Sequence, residues 1–516
     1  MQTKKNDFLL ITPMRVVAYP LEPALAPLHL YTYATNNGFD GEMIDFNTLI
    51  YEDNVSDYKS IVYNTLEQWL LSNPETKIVG ITCLFSAIFE RVLEITEMIK
   101  KIRSDAIVII GGNHATVFHE EIIRNAMTID YVAMGEGEEQ FLSILKLHSP
   151  GHFLPESSLV NGIAYRNETG EVIISKKTDY IDDLNSLGLL RYDKVDWPKY
   201  FTPDLDSFYN PKQHKIIAAA PIATSRACPF KCNFCSMYAV MGRKFRPKTN
   251  KMVMEEIKVL YYEHNIRYFR IIDDCSTFNK RLSMELFGAI AASEMDISFE
   301  FYNGLSIRTL DEEIIDVLVA AGLLRGSLAI ESGSQWLRNE VMNKKLTDDQ
   351  IYETYEYFDK KYPHVWLIGL FIIGMPEESV ETMEQTIKMI TNLKNIWPVL
   401  NILVPYPGTP VYEQSIRDEL FTIETKDLWK TALSANPPTL DLADKGLSTD
   451  WCAMQQKSIT ETFLIKPYNM SLEDLSDFYI RLLKLKKDSW KRIEKRKEVA
   501  LKIYSSTINN SETVAA

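Results

Sequence analysis

Ala218-Ala-Ala-Pro-Ile-Ala-Thr-Ser-Arg-Ala-Cys-Pro-Phe-Lys-Cys-Asn-Phe-Cys235 is the stretch on which the reading of this chain turns. An apolar run of strand character, Ala218 to Thr224, empties into a Cys-x3-Cys-x2-Cys triplet at Cys228, Cys232 and Cys235. Three thiolates on one short loop can converge on a metal centre, and soft sulfur ligands select zinc or an iron-sulfur cluster. A structural zinc site needs four protein ligands. The loop offers no fourth Cys or His, and the remaining Cys83, Cys275 and Cys452 are scattered. A cubane held by three Cys keeps one iron open and therefore reactive; a zinc clip is the bland alternative.

Downstream, five more apolar runs recur at Tyr268 to Asp273, Ser298 to Tyr302, Gly326 to Glu331, Trp366 to Ile373 and Val399 to Val404, with helix-length segments between them. Six strand-helix units are too few for a closed eight-fold barrel, so residues 214–412 are expected to form an open (β/α)6 partial TIM barrel. Upstream, FLLIT (8–12), GEMIDF (41–46), KIVGIT (77–82), AIVIIGG (106–112) and DYVAMG (130–135) alternate with amphipathic segments. Continuous β-branched runs of this kind predict a doubly wound, Rossmann-like parallel sheet over residues 1–148, whose ligands bind at the carboxyl ends of the strands.

Residues 149–213 read as a connector carrying a hairpin that turns at Asn167 to Gly170, and residues 413–516 as a helical region with a disordered tail. The basic run 482–504 is taken as a solvated helix face. Connector and tail are expected to carry specificity and to close the barrel's open side, with Trp397, Trp429 and Trp451 as lining candidates.

The 516 residues, 46% hydrophobic and 24% charged, are ordinary globular composition for about three domain-sized units. The 56 Lys and Arg against 70 Asp and Glu give −14, which counts against nucleic acid or anionic lipid as a partner. Neither a secretory signal nor a membrane span is recognisable, and Cys usage is that of a reduced protein, so the expected compartment is the cytoplasm.

The triplet with Phe234 before its last Cys resembles the signature of the radical S-adenosylmethionine (SAM) enzymes. That resemblance implies a 4Fe-4S cluster on Cys228, Cys232 and Cys235. It also implies a SAM site drawn from Phe234, Asp273, Asp274, Arg308, Glu331, Ser332, Gly374 and Glu378. Asp273-Asp274 closes the second barrel strand where the family places groups for the amino end of SAM. Glu331-Ser332-Gly333 looks like its ribose element, and Gly374 to Ser379 like its Gly-Pro-Glu turn near the adenine. Tyr406-Pro-Gly-Thr409 matches the loop after the sixth strand. DDCST and Glu377 depart from the usual family pattern.

The first domain resembles the cobalamin-binding domain of cobalamin-dependent members. Pro13, Ser86, Gly111, Gly112, His114, Ala115, Gly135, Glu136, Gly137 and Glu138 are the implied contacts, with small residues admitting a flat macrocycle to the backbone. No Asp-x-His-x-x-Gly is present, so the lower face of cobalt is expected to carry water or nothing; His29 and His114 are the histidines that could lie near it. No Gly-x-Gly-x-x-Gly follows the first strand, which argues against a dinucleotide.

What the resemblance implies is methylation of an unactivated carbon of a small molecule, by way of a 5'-deoxyadenosyl radical and methylcobalamin. The catalytic groups are then the cofactors, and the cluster's electron comes from an external donor such as flavodoxin or ferredoxin. A rearrangement or ring closure without methyl transfer uses the same two sites and stays open. A cobalamin sensor or carrier explains the first domain but leaves the Cys triplet without use. Transfer-RNA methylthiolation would need three more Cys in the first domain, where Cys83 stands alone.

Overall fold

The computed structural model describes residues 6–14, 22–50, 57–148, 159–200, 210–214, 218–430 and 463–512. The first layer runs β1 (Phe8–Thr12), α1 (Leu25–Asn36), β2 (Gly41–Asp45), α2 (Tyr58–Ser72), β3 (Ile78–Thr82), α3 (Phe89–Ile102), β4 (Ile107–Gly111). It continues through α4 (Asn113–Val117), α5 (His119–Asn125), β5 (Tyr131–Ala133), α6 (Glu138–His148), β6 (Ile163–Arg166) and β7 (Val172–Ser175). The sheet order is β2-β1-β3-β4-β5-β6-β7.

Strands β1 to β5 are parallel because successive strands alternate with helices, which cover both faces. Leu9, Ile11, Val79, Ile81, Val108 and Ile110 feed the core under α2 and α3, while Phe8, Leu10, Ile78 and Ile109 pack with Tyr31, Phe141 and Leu145 of α1 and α6. The hairpin that the sequence places in a connector pairs antiparallel with β5 and extends this sheet at its edge. Tyr131 stacks on Tyr165 across that junction, with ring centroids 5.7 Å apart.

The second layer runs β8 (Ala219–Ile222), β9 (Ser225–Arg226), α7 (Met237–Met241), β10 (Arg246–Pro247), α8 (Asn250–Lys258), β11 (Tyr268–Ile271), α9 (Lys280–Ala291), β12 (Ser298–Phe301) and α10 (Glu312–Ala320). There follow β13 (Leu323–Glu331), α11 (Asp348–Lys361), β14 (Trp366–Ile373), α12 (Val380–Asn392), β15 (Ile396–Ile402), α13 (Pro410–Arg417) and α14 (Leu472–Glu512). Six parallel strands are ordered β15-β14-β13-β12-β11-β8, and the two outer strands do not pair with each other, so the barrel stays open on one flank. No helix among the described residues is long and apolar enough to cross a membrane.

Helix α14 covers the exposed strand edge and the barrel floor. Its first half lies along β15, where Tyr479 Oη donates to the Leu400 carbonyl at 3.1 Å. Its second half places Ile493 and Ala500 against Ala219, Tyr268, Leu324, Trp366 and Ile368, most of them near the amino ends of their strands. The basic run is thus apolar on one side: Trp490 packs against Trp397 at 5.0 Å, and Arg496 Nη1 donates to the Val365 carbonyl. Trp397 therefore lines the floor, Trp429 packs on Phe89 of α3, and Trp451 lies outside the described residues.

Candidate functional site

Every barrel segment singled out from the sequence sits at the carboxyl ends of the strands, the end at which (β/α) barrels build their sites. Asp273, two residues beyond the end of β11, accepts hydrogen bonds from Thr224 N, Thr224 Oγ1 and Ser225 Oγ at 2.7, 2.5 and 2.5 Å. Asp274 accepts from Ala227 N at 3.1 Å, which holds Ala227 in the left-handed region at φ 70°. These two acids shape the start of the cysteine loop. Burial and the neighbouring Asp273 charge push the Asp274 carboxyl up to about 6.

The far side of the loop is tied to the connection after β13. Asn233 N and Nδ2 donate to the carbonyls of Met342 and Val341, and Asn343 Nδ2 donates to the Lys231 carbonyl. Phe234 packs with Leu337, Met342, Met375, Leu403 and Val411, so the aromatic residue anchors the loop. Cys228, Cys232 and Cys235 stay half-buried. A hydrogen bond from the Cys275 thiol brings Cys228 down to about 7, whereas burial pushes Cys235 up to about 12. Burial also raises Cys232, opposed by the charge of Lys344. Three thiols, no fourth ligand on the loop and a cation at hand are a donor set that fits an anionic cluster better than a zinc ion.

Glu331 adopts φ 73°, a strained conformation for a residue with a side chain, and is held there by an ion pair with Lys344. Arg338 Nη1 donates to the Ser332 carbonyl at 2.6 Å. A Cβ on Gly333 would stand 2.3 Å from Thr386 Cα, so only glycine lets this turn rest on α12. Gly374, at φ 95°, donates its N–H to Glu378 Oε2 at 3.3 Å, and Thr382 Oγ1 donates to Glu378 Oε1 at 2.6 Å. Glu378 is buried, which pushes its carboxyl up to about 7, and it braces the turn from within. Arg308 Nη1 donates to the Lys344 carbonyl, and its guanidinium lies 4.2 Å over the Phe230 ring.

At the carboxyl edge of the first sheet, Pro13 accepts from Asn47 Nδ2, and Gly112 takes φ 121° beneath the Cys83 carbonyl, 2.6 Å from where a Cβ would stand. Thr116 Oγ1 accepts from Gly135 N at 2.9 Å, while Ala115 is buried beneath. A Cβ on Gly111 would meet only ordinary contacts, and Leu84 and Phe85 beyond β3 remain 38% and 47% exposed. Glycines and uncovered apolar side chains at one strand edge fit a flat macrocycle.

Both histidines are enclosed. His114 Nδ1 lies 2.8 Å from Ser86 Oγ, and its ring sits between Phe89 and Phe118. Burial holds it down at about 4, so it stays neutral. Burial, with Arg226 and Lys248 nearby, lowers His29 well below its ordinary value.

The carboxylates of Gly135-Glu136-Gly137-Glu138 are turned to the barrel. Arg226, two residues ahead of Cys228, donates Nη1 to Glu136 Oε1 at 2.9 Å and Nη2 to Glu138 Oε1 at 2.5 Å. Arg246 Nη1 donates to Glu136 Oε1 at 2.7 Å, and Ile181 N donates to Glu136 Oε2 at 2.9 Å. All four side chains are buried. Burial favours a protonated Glu138, but the Arg226 charge overrides it and holds the carboxyl at about 2. The clamp joins the edge of the first sheet to the root of the cysteine loop. Arg226, Arg246, Lys344 and Cys275 escaped sequence reasoning; the one signal was that Arg226 and Cys275 sit inside the motifs quoted.

A radical SAM superfamily model matches residues 222–390, and a B12 binding domain model matches residues 17–145. The chain is 29% identical to the uncharacterized methyltransferase PH0819 of Pyrococcus horikoshii over 66% of its own length and 70% of that protein's. It is 28% identical to the anaerobic magnesium-protoporphyrin IX monomethyl ester cyclase of Rubrivivax gelatinosus, over 65% of this chain and 58% of the cyclase. The radical SAM methyltransferase TsrM of Kitasatospora setae, solved with cobalamin and a [4Fe-4S] cluster bound, superposes with a TM-score of 0.62 at 17% identity, over 92% of this chain and 85% of that one. The chain thus carries a B12 binding domain followed by a radical SAM superfamily domain, on a fold shared with a radical S-adenosylmethionine methyltransferase that binds cobalamin and a [4Fe-4S] cluster.

Proposed function

We propose that the chain is a C-methyltransferase acting on an unactivated carbon of a small molecule. Cys228, Cys232 and Cys235 hold the cluster on this reading. Asp274, Arg308, Glu331 and Ser332 lie at the SAM side, and the strand edge at Pro13, Leu84, Phe85, Gly111 and Gly112 faces cobalamin. When bound, cluster and SAM supply a hydrogen-abstracting radical and cobalamin supplies the methyl group. The protein's own residues position and enclose. Asp273 and Phe234 fix the cysteine loop, Lys344 offsets thiolate charge near Cys232, and the buried Arg226 clamp sets one cofactor edge against the other. That clamp is the observation that carries the reading, because it brings the two cofactor-bearing edges together through one side chain.

The likeness to a ring-forming cyclase, as strong as that to the methyltransferase, supports cyclisation as the second reading. Anaerobic turnover with SAM bearing a deuterated methyl group separates them. Methyl transfer yields S-adenosylhomocysteine and 5'-deoxyadenosine in about equal amounts with label in the product. Cyclisation yields 5'-deoxyadenosine alone. We place the enzyme in the reducing cytoplasm, with an external one-electron donor, in keeping with five free thiols among the described residues.

A further inference from the structure

On β13, β14 and β15 the inward face of the barrel is the less buried one. Leu328, Ile330, Phe371, Ile373 and Leu400 point outward and are buried in the main core. Their inward neighbours Ala329, Leu370, Ile372, Val399 and Asn401 are only partly buried, and Tyr302, just beyond β12, is 49% exposed. Layers of side chains fill the interior of a closed eight-fold barrel, whereas here the lumen keeps room along its inner wall. Glu331 and Ser332 stand at one end of this wall.

Towards the other end lies a charged layer. Arg270, Glu300, Arg325 and Trp366 stand in register on four neighbouring strands. Arg270 Nε donates to Glu300 Oε1 at 2.8 Å, Arg325 Nη1 meets Glu300 Oε2 at 3.0 Å, and the Arg325 guanidinium lies 4.6 Å over the Trp366 ring. The barrel itself thus supplies two guanidiniums and one carboxylate. The second carboxylate comes from the first domain: Glu22, ahead of α1, accepts from Arg270 Nη1 at 2.9 Å and is nearly enclosed. On the same inner face, two residues from Glu300, Ser298 is fully buried, and its Oγ has no hydrogen-bond partner among the described residues. The Tyr302 ring lies 5.1 Å from the Arg270 guanidinium and faces the open part of the lumen.

We propose that this layer is an anion subsite of the substrate: a carboxylate or phosphate of the small molecule takes the place of Glu22 on Arg270, and its uncharged part extends along Ala329, Leu370 and Val399 towards Glu331 and Ser332. The inference rests on the reading of the chain as an enzyme acting on a small molecule, and it names the class of that molecule. Buried ion pairs add little stability over an apolar layer, so packing alone gives no reason to keep four charges there. A cation would have to take Glu300 from two guanidiniums fixed on neighbouring strands. An anion has to displace a single carboxylate that belongs to another domain. A guanidinium fork matches carboxylate and phosphate oxygens, and the Ser298 hydroxyl is a further donor on the same face.

Calorimetry on the holoenzyme, with cluster, cobalamin and SAM bound, tests this with four probes that share a phenyl ring: benzoate, phenyl phosphate, benzylammonium and benzyl alcohol. The order of the first two tells whether the subsite takes a carboxylate or a phosphate. E22Q leaves Arg270 on Glu300 and removes the competing internal carboxylate, so it should tighten the preferred anion about tenfold. Benzyl alcohol should bind native protein and E22Q alike, and R270Q should abolish anion binding. Equal anion affinities in E22Q and native protein would overturn the subsite. So would anion binding to neither, or benzylammonium binding more tightly than both anions. Where R270Q does not fold, E22Q alone decides. These affinities need no turnover: a holoenzyme that binds the anions through Arg270 yet transfers no labelled methyl group defeats the methyltransferase reading and leaves the subsite standing. A protein loaded with both cofactors whose affinities ignore Glu22 does the reverse.

Discussion

Replacing Glu138 by Gln tests whether the clamp is energetically real. The Glu138 carboxyl sits at about 2 against an ordinary 4.5. At about 1.4 kcal/mol per tenfold change in proton affinity, the folded state favours its charged form by roughly 3 kcal/mol. The residue is 3% exposed, so solvent screening removes little of this. Because the folded value lies below the unfolded one, the contribution is fully present above about 4.5 and is lost as the pH falls from there through 2. E138Q should therefore lower unfolding stability by roughly 3 kcal/mol at pH 7, within the range for removing one partner of a buried pair. Urea unfolding of metal-free protein, followed by fluorescence, gives the difference. The gap between native and variant should narrow as the pH is taken below 4. A double-mutant cycle with R226M should return a coupling of about 2 kcal/mol or more. Equal stability of E138Q and native protein at pH 7, or no coupling, would refute the reasoning.

C232A should lose iron while retaining cobalamin, measured by metal analysis and the visible spectrum, because the first sheet's strand edge contains none of the cysteine loop. G112A should cost about 2–4 kcal/mol, from its left-handed backbone and a Cβ driven into the Cys83 carbonyl. G170A, also left-handed but with nothing within 4 Å, should cost only about 1 kcal/mol in the same urea assay. G333A should weaken SAM binding by calorimetry with iron content intact, since the new methyl pushes Glu331 and Ser332 away from α12. Glu378 is raised to about 7, so its stabilising contribution is full below about 4.5 and lost as the pH rises through 7. E378Q should therefore remove that loss between about pH 4.5 and 7, and an unchanged pH-stability profile would show the residue solvated.

The element series was legible because each strand is a short β-branched run bounded by turn residues, and β1 to β5 fall within a residue or two of their apolar runs. The hairpin 162–175 was legible as a hairpin but not as part of the first sheet, since edge pairing depends on which strand its backbone meets. Helix α14 read as solvated because its charges dominate the local pattern; Trp490, Ile493 and Ala500 acquire a partner only once the barrel floor exists. Glu136 and Glu138 stood out in the sequence through their glycines, but their partners lie about 90 and 110 residues further on.

Local chemistry was thus settled by the sequence alone: three thiols at metal-binding spacing after a strand, glycines where backbone must turn left-handed or lie close, and alternation that only a pair of parallel sheets can bury. Those properties depend on neighbours within a few residues. Tertiary structure decided which charges meet. Arg226 bridging to Glu136 and Glu138, Cys275 donating to Cys228, and Arg243 and Arg308 meeting at Phe230 are juxtapositions across the chain. Coulombic and hydrogen-bond energies depend on distances that the fold sets and that sequence separation does not record.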